Sequence, residues 1–180
     1  MPEIIVIAHN IRSTHNVGSI FRTAEGFGVK KIILSGYTPY PKVKNDPRLP
    51  HISDKITSQI HKTALDAETI VPFEHYESLD TWLEQNKEDE NIPVLALEQA
   101  PDSVNLREFT SPERFALLLG EEVHGIEPHY LSYCQNILEI PMAGAKESFN
   151  VSVATGIALY QLASPPHLAR TNTASSSASL

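Results

Sequence analysis

The chain has 180 residues, 41% of them hydrophobic, and a formal net charge of -8. That length and apolar content fit one compact domain with a sizeable core, and any second domain would have to be very small. A single cysteine, Cys134, excludes an internal disulfide framework, and no apolar run approaches the roughly 18 residues of a membrane span.

The start, MPEIIVIAHN, lacks the basic-then-apolar order of an export signal, so the cytoplasm is the expected compartment. The acidic balance is uneven: residues 1 to 60 hold 8 Lys+Arg against 4 Asp+Glu, and residues 61 to 180 hold 6 against 18. Any polyanion-facing surface is therefore expected in the amino-terminal third, where Arg12, Lys30, Lys31, Lys42, Lys44 and Arg48 could share one face.

Ile4 to Ala8 reads as a strand apolar enough to be buried on both faces. The loop after it, HNIRSTHNVG over His9 to Gly18, leads into a helix over Val17 to Phe27 that carries Arg22. A dinucleotide site would need G-x-G-x-x-G here, and only Gly18 is present. His9 and His15 lack an accompanying Cys or Asp, so a hydrogen-bonding role is expected and no metal. Lys31 to Leu34 is the second strand.

GYTPYPKVKNDPRLP, Gly36 to Pro50, holds four prolines with Lys42, Lys44, Arg48 and two tyrosines. It reads as a long mobile loop. Basic and aromatic residues together suit single-stranded nucleic acid; an exposed loop kept soluble by its lysines is the equal alternative.

A helix over Asp54 to Leu65 with Ser53 as N-cap, a strand over Thr69 to Phe73 and a helix over Leu79 to Gln85 with Ser78 as N-cap come next. Pro93 to Leu97 and Phe115 to Leu119 are further strands. The second of these ends in GEEVHG, Gly120 to Gly125, where two glycines allow close backbone approach and adjacent Glu121 and Glu122 supply acceptors without facing each other.

Pro128 to Tyr133 reads as a helix and Ile137 to Pro141 as a strand. Cys134 is expected to be a buried small hydrophobe. After PMAGAKES, the run from Ala145 to Gln161 alternates at first like a strand but continues at helical spacing, and helix is favoured. Ser148 is then the expected N-cap, and Asn150 sits in the first turn facing a site while Phe149 and Val151 turn away. The tail Ser164 to Leu180 is expected to be disordered. Strand alternating with helix predicts an α/β fold with a mainly parallel sheet flanked by helices, as one domain over 1–163.

Three segments in order, NIRSTHNVGSIFRTAEGFGV, FALLLGEEVHGI and LEIPMAGAKESFNVSVATGIALY, resemble the three signature motifs of the SpoU/TrmH branch of the SPOUT-class RNA 2'-O-ribose methyltransferases. The resemblance spans residues 3 to about 162. It implies Asn16, Arg22, Glu122, Ser148 and Asn150 as active-site residues. It also implies a backbone-built S-adenosylmethionine site at Leu119, Gly120, Ile140, Met142 and Phe149, with Leu97 less directly aligned. The family usually has Leu where this chain has Phe149.

The resemblance further implies a carboxyl-terminal trefoil knot, a homodimer, and tRNA or rRNA as the partner. A catalytically lost RNA-binding relative and a nucleotide-binding metabolic enzyme are the competing readings, the latter favoured by the acidic charge.

Overall fold

The structure, a computed structural model, describes residues 1–163; the tail expected to be disordered lies outside them. Seven strands form one sheet: β1 (Glu3–His9), β2 (Lys31–Ser35), β3 (Phe73–Tyr76), β4 (Val94–Leu97), β5 (Val104–Asn105), β6 (Arg114–Leu119) and β7 (Asn136–Glu139). Their order is β3-β2-β1-β6-β4-β7-β5, and every pairing is parallel.

Such a sheet must bury both faces, and the alternation along the strands divides the core in two. Ile4, Val6 and Ala8 of β1 with Phe115, Leu117 and Leu119 of β6 face one apolar cluster. Ile5, Ile7, Ala116 and Leu118 face the other.

The first face is covered by α1 (Thr14–Gly26), α2 (Pro50–Ala64), α3 (Ala67–Ile70) and α6 (Val151–Ala163), through residues such as Phe21, Ile60, Ala67 and Leu159. The second is covered by α4 (Leu79–Asp89) and α5 (Pro128–Leu131), through Trp82, Leu83 and Tyr130. Among the described residues no helix is long and apolar enough to cross a membrane.

Several boundaries differ from the sequence expectation. Thr69 and Ile70 belong to α3, and the third strand starts only at Phe73, so the expected strand over Thr69 to Phe73 is misplaced. The β-branched run misled because Asp66, with φ 74, starts a short helical turn before the chain extends. Ser53 does not cap α2. That helix begins at Pro50, whose fixed φ suits a first turn, and the Ser53 hydroxyl donates to the Pro50 carbonyl at 3.1 Å. Ser78 does cap α4, its hydroxyl accepting from the Asp80 amide at 3.2 Å. The two-residue strand β5 carries too little pattern to be read from sequence.

Candidate active site

In an open parallel sheet, ligands sit outside the carboxyl ends of the strands, near the point where strand order reverses. Here the sequence runs outward from β1 to β3 on one side and through β6, β4, β7 and β5 on the other. The segments leaving β4, β6 and β7 frame a cleft of about 240 Å³, near the lower end of the size range of small-molecule sites. Leu97, Leu119, Leu138 and Ile140 supply apolar lining, and Glu98 to Gln99, Gly120 to Gly125 and Ser148 to Phe149 supply polar groups and backbone.

The Gly120–Gly125 loop closes on itself. The Glu121 amide donates to the Gly125 carbonyl at 3.2 Å and the Gly125 amide donates to the Glu121 carbonyl at 3.0 Å. A Cβ on Gly120 would lie 2.6 Å from the Gly125 carbonyl carbon, so no side chain fits. Gly125 has φ 70, and a Cβ there would collide with the Glu98 carboxylate. That carboxylate accepts from the Ile126 amide at 2.8 Å, tying the end of β4 to the loop after β6.

Side chains from all three motifs meet beside this loop. Asn16, in the first turn of α1, donates through Nδ2 to Glu122 Oε1 at 2.9 Å, and its Oδ1 accepts from Asn150 Nδ2 at 3.2 Å. Asn150 Oδ1 accepts from the Ser152 amide at 2.9 Å and the Ser152 hydroxyl at 2.7 Å. A carboxylate at one end and a backbone N–H at the other fix both amides the same way round. The chain of bonds leaves amide donors and carboxylate lone pairs for a ligand, a set suited to a hydroxyl group.

Asn150 is therefore itself the cap of α6. The helix starts at Val151 and the Ala154 amide donates to the Asn150 carbonyl at 2.9 Å, so Ser148 lies upstream of the cap instead of forming it. Phe149 and Val151 do not turn away; both line the cleft with Ser148.

Glu121 points elsewhere. Its carboxylate pairs with the Arg12 guanidinium and accepts from His124 Nδ1 at 2.6 Å, and these partners, His124 first, hold it below the usual carboxylate range. Arg12 lies beside Tyr37, its guanidinium carbon 6.0 Å from the ring centroid, and the Tyr37 hydroxyl and Glu121 raise its pKa further. The Arg12 amide also approaches Glu122 Oε2 at 3.4 Å.

Of the residues expected at the cofactor site, Leu97, Leu119, Gly120, Ile140 and Phe149 line the cleft, and Met142 lies beyond its lining. Arg22 is exposed on α1 and, among the described residues, has no hydrogen-bond or ion-pair partner; nothing ties it to Asn16, Glu122 and Asn150. Glu98, Gln99 and Arg12 were not singled out for the site. Gln99 Nε2 donates to the Glu147 carbonyl at 2.6 Å, bracing the approach to α6. A polar pair directly after an apolar strand was the available signal for Glu98 and Gln99.

The two loop histidines do not converge. His9 is buried, its Nε2 accepting from Asn10 Nδ2 at 3.0 Å and its Nδ1 donating to Ser35 Oγ at 2.9 Å, whereas His15 is exposed on α1. Desolvation lowers the His9 pKa. Elsewhere, His61 Nδ1 donates to Glu68 Oε1 at 2.8 Å with Asp66 nearby, an ion pair that joins α2 to α3. Cys134 is half-buried, its thiol pushed up to about 12 by burial, which makes it inert.

Within the single chain, most of the basic residues that a dimer was expected to gather on one face are paired with acids. Lys30 pairs with Glu3 and Lys31 with Glu74 at the amino end of β2, opposite the cleft. Lys42 pairs with Asp54 at 2.8 Å. Arg48 bonds Asp46 and the Tyr40 and Pro41 carbonyls while lying 3.5 Å over the Tyr40 ring, so it folds the loop and is not free for phosphate.

Residues 3–160 match the SpoU rRNA Methylase family. The chain belongs to that family. It is 29% identical over 160 residues to the 23S rRNA (guanosine-2'-O-)-methyltransferase RlmB of Haemophilus influenzae, covering 88% of this chain and 58% of that protein. It is 30% identical over 161 residues to the tRNA (guanosine(18)-2'-O)-methyltransferase of Aquifex aeolicus, covering 88% and 68%.

Among solved structures, the AdoMet-bound rRNA methyltransferase from Sinorhizobium meliloti superposes with TM-score 0.74 at 24% identity, covering 88% of this chain and 55% of that one, a likeness of fold. The chain spans little more than half the length of several such relatives. This SpoU-family chain thus corresponds to one part of those longer proteins.

Proposed function

We propose that the chain is an S-adenosylmethionine-dependent methyltransferase acting on a ribose 2'-hydroxyl of tRNA or rRNA. The observation that carries this reading is the Glu122–Asn16–Asn150 chain of hydrogen bonds, which joins three segments distant in sequence at the rim of one cleft. The named relatives, acting on 23S rRNA and on tRNA guanosine, support it.

The cleft fits the cofactor. Its apolar lining suits a nucleoside, and the Gly120–Gly125 loop, where Gly120 has no room for a Cβ, offers bare backbone. When bound, S-adenosylmethionine supplies an electrophilic methyl group. Leu97, Leu119, Gly120, Ile140 and Phe149 would hold it, with Met142 at the margin. Ser148 lines the cleft together with Val151 and Ala154 of α6.

Toward the ribose, Asn16 and Asn150 donate N–H groups and Glu122 accepts, fixing the hydroxyl's direction. Guanidinium scarcely deprotonates, so Arg22 is cast as a cation that binds an adjacent phosphate and stabilises developing alkoxide charge, not as a base.

A homodimer completes this reading. Val153, Ile157 and Tyr160 leave an exposed apolar stripe on α6 at helical spacing, and Asn150 caps the start of that helix. A second copy covering that stripe places the interface beside the site. Arg22 is exposed on α1, which packs against α6 on the same face of the sheet. The carboxyl-terminal trefoil knot and a cytoplasmic location belong to the same proposal, the knot supported by the strand order in which β7 inserts between β4 and β5.

The test is tritium transfer from labelled cofactor to bulk tRNA and to rRNA. Wild-type protein labels one of them, and Asn150→Ala and Asn16→Ala cut the rate about a hundred-fold with the fold retained. Cofactor and RNA binding without any label would establish the inactive RNA-binding reading instead.

A further inference from the structure

The segment after β2 carries two tyrosines, and the structure gives them opposite situations. Tyr40 is enclosed: His75 stacks on it with ring centroids 4.0 Å apart and planes 26° apart, and the Arg48 guanidinium lies 3.5 Å from its centroid. Tyr37 is 53% exposed, and its neighbour Arg12 has a side chain 61% exposed. Arg12 reaches Glu121 with its guanidinium and Glu122 with its amide, so this open aromatic and cationic surface adjoins the loop that carries the Glu122–Asn16–Asn150 chain.

The backbone beneath Tyr37 is held by groups that do nothing else in the site. The Tyr37 amide donates to Asn10 Oδ1 at 3.3 Å; Asn10 Nδ2 donates to His9 Nε2; and His9 Nδ1 donates to Ser35 Oγ, the last two side chains buried. Asn10 adopts φ 56, a conformation that side chains other than Asn and Asp seldom take. Thr38 adds a second tie, its hydroxyl donating to the Ala8 carbonyl and accepting from the Ile11 amide, both at 3.0 Å. An exposed tyrosine anchored this way has already given up much of the freedom that binding would otherwise cost.

We propose that Tyr37 and Arg12 form a stacking platform for a base of single-stranded RNA beside the methyl-transfer cleft. The inference rests on the function proposed above and specifies where that RNA is held. A flat ring and a planar guanidinium offer a surface that any nucleobase can stack on, whatever its hydrogen-bonding edge. It also accounts for an acidic protein binding a polyanion: with Lys42 and Arg48 paired to acids, stacking replaces phosphate neutralisation as the main hold.

The test uses a fluorescein-labelled, mixed-sequence single-stranded oligoribonucleotide, read by anisotropy, beside calorimetry of S-adenosylmethionine. Tyr37→Ala binds the oligonucleotide about ten-fold more weakly or worse with cofactor affinity unchanged. Tyr37→Phe keeps most of the binding, because the ring stacks without its hydroxyl and only that group's hold on Arg12 is lost. Arg12→Lys, which keeps charge and loses the plane, shows a smaller loss.

Tyr37→Trp adds an indole reporter whose emission an unlabelled copy of the oligonucleotide quenches, over a constant background from the buried Trp82, which the oligonucleotide does not reach. Equal affinity for wild type and Tyr37→Ala, with the indole emission of Tyr37→Trp unquenched, overturns the platform and leaves the methyltransferase reading standing. Failure of the wild type to bind any RNA, while a free nucleotide binds, overturns both.

Discussion

Two loops leave the carboxyl edge of the same sheet and are shaped by opposite means. The loop after β6, Gly120 to Gly125, is set by where a side chain cannot go: Gly120 has backbone where its Cβ would be, and Gly125 has a positive φ with the Glu98 carboxylate against it. The segment after β2 is set by one enclosed side chain, Arg48, which bonds Asp46 and two carbonyls and covers Tyr40. The first loop leaves its backbone bare for a ligand. The second pairs Lys42 and Arg48 with acids and leaves Tyr37, at its root, as its exposed aromatic ring. A loop rich in lysine and arginine need not be the one that meets the anion.

The sharpest break in that contrast is Gly120→Ala. The new methyl group meets backbone on the far side of the loop at 2.6 Å, and backbone cannot step aside as a flexible side chain can. The expected result is a loss of S-adenosylmethionine affinity of ten-fold or more by calorimetry, with destabilisation of about 1–3 kcal/mol from overpacking. An unchanged affinity would mean that the loop does not carry the cofactor.

Next in size is Arg48→Ala in the other loop. It removes the cover from Tyr40 and leaves Asp46 without the partner that holds its carboxylate far below the ordinary range. The melting midpoint should fall by about 3 °C or more, since several bonds end together, while cofactor affinity stays as it was. The Asp46 shift has a sign: a depressed folded pKa contributes stability above the ordinary carboxylate range, and that contribution fades as pH falls below it. Wild type should therefore lose stability on acidification more steeply than Arg48→Ala between about pH 5 and 3.

The two loops also differ in how far sequence alone reveals them. The pattern GEEVHG announced a close backbone approach because glycine pairs have few other uses, although the cause of Gly125, the carboxylate of Glu98 just after β4, is a tertiary fact. Arg48 looked like a phosphate ligand because sequence displays charge but not partners, and its partner Asp46 is only two residues away.

The fold class was legible because parallel strands buried on both faces leave continuous apolar runs, as in Ile4 to Ala8 and Phe115 to Leu119. Places ruled by local backbone were not: the start of α2 at Pro50, the turn at Asp66, and the cap at Asn150. For the site, the motifs foretold Asn16, Glu122 and Asn150 as neighbours. They could not foretell that Arg22 would stand apart from them in a single chain.

A smaller effect probes the root shared by the two halves of the second loop. His9 is held neutral by burial beside Tyr130, with Asp80 and Glu127 the acids that oppose the shift. Its folded pKa lies below the ordinary 6.5, so the unfolded chain takes up a proton that the folded one refuses, and stability falls as pH drops below about 6.5. His61, raised by its pairing with Glu68, works the other way, its contribution present below 6.5 and lost as pH rises through its folded value. His9→Gln should remove the first slope and leave the second, and melting curves at pH 5, 6.5 and 8 would separate them.

The smallest expected effect is reversal of Lys42 and Lys44 to Glu, which a phosphate-binding loop would make the largest. Lys42 already pairs with Asp54 in an exposed salt bridge, so its reversal subtracts little from the positive field available to RNA and puts two acids side by side on the surface. Lys44 has no such partner among the described residues and should account for most of the change. The double variant should bind a mixed-sequence oligoribonucleotide a few-fold more weakly at low salt, with the difference closing as salt rises, because only one or two phosphate contacts are lost. A loss at low salt larger than that of Tyr37→Ala would show that the lysines and not the tyrosine hold the RNA.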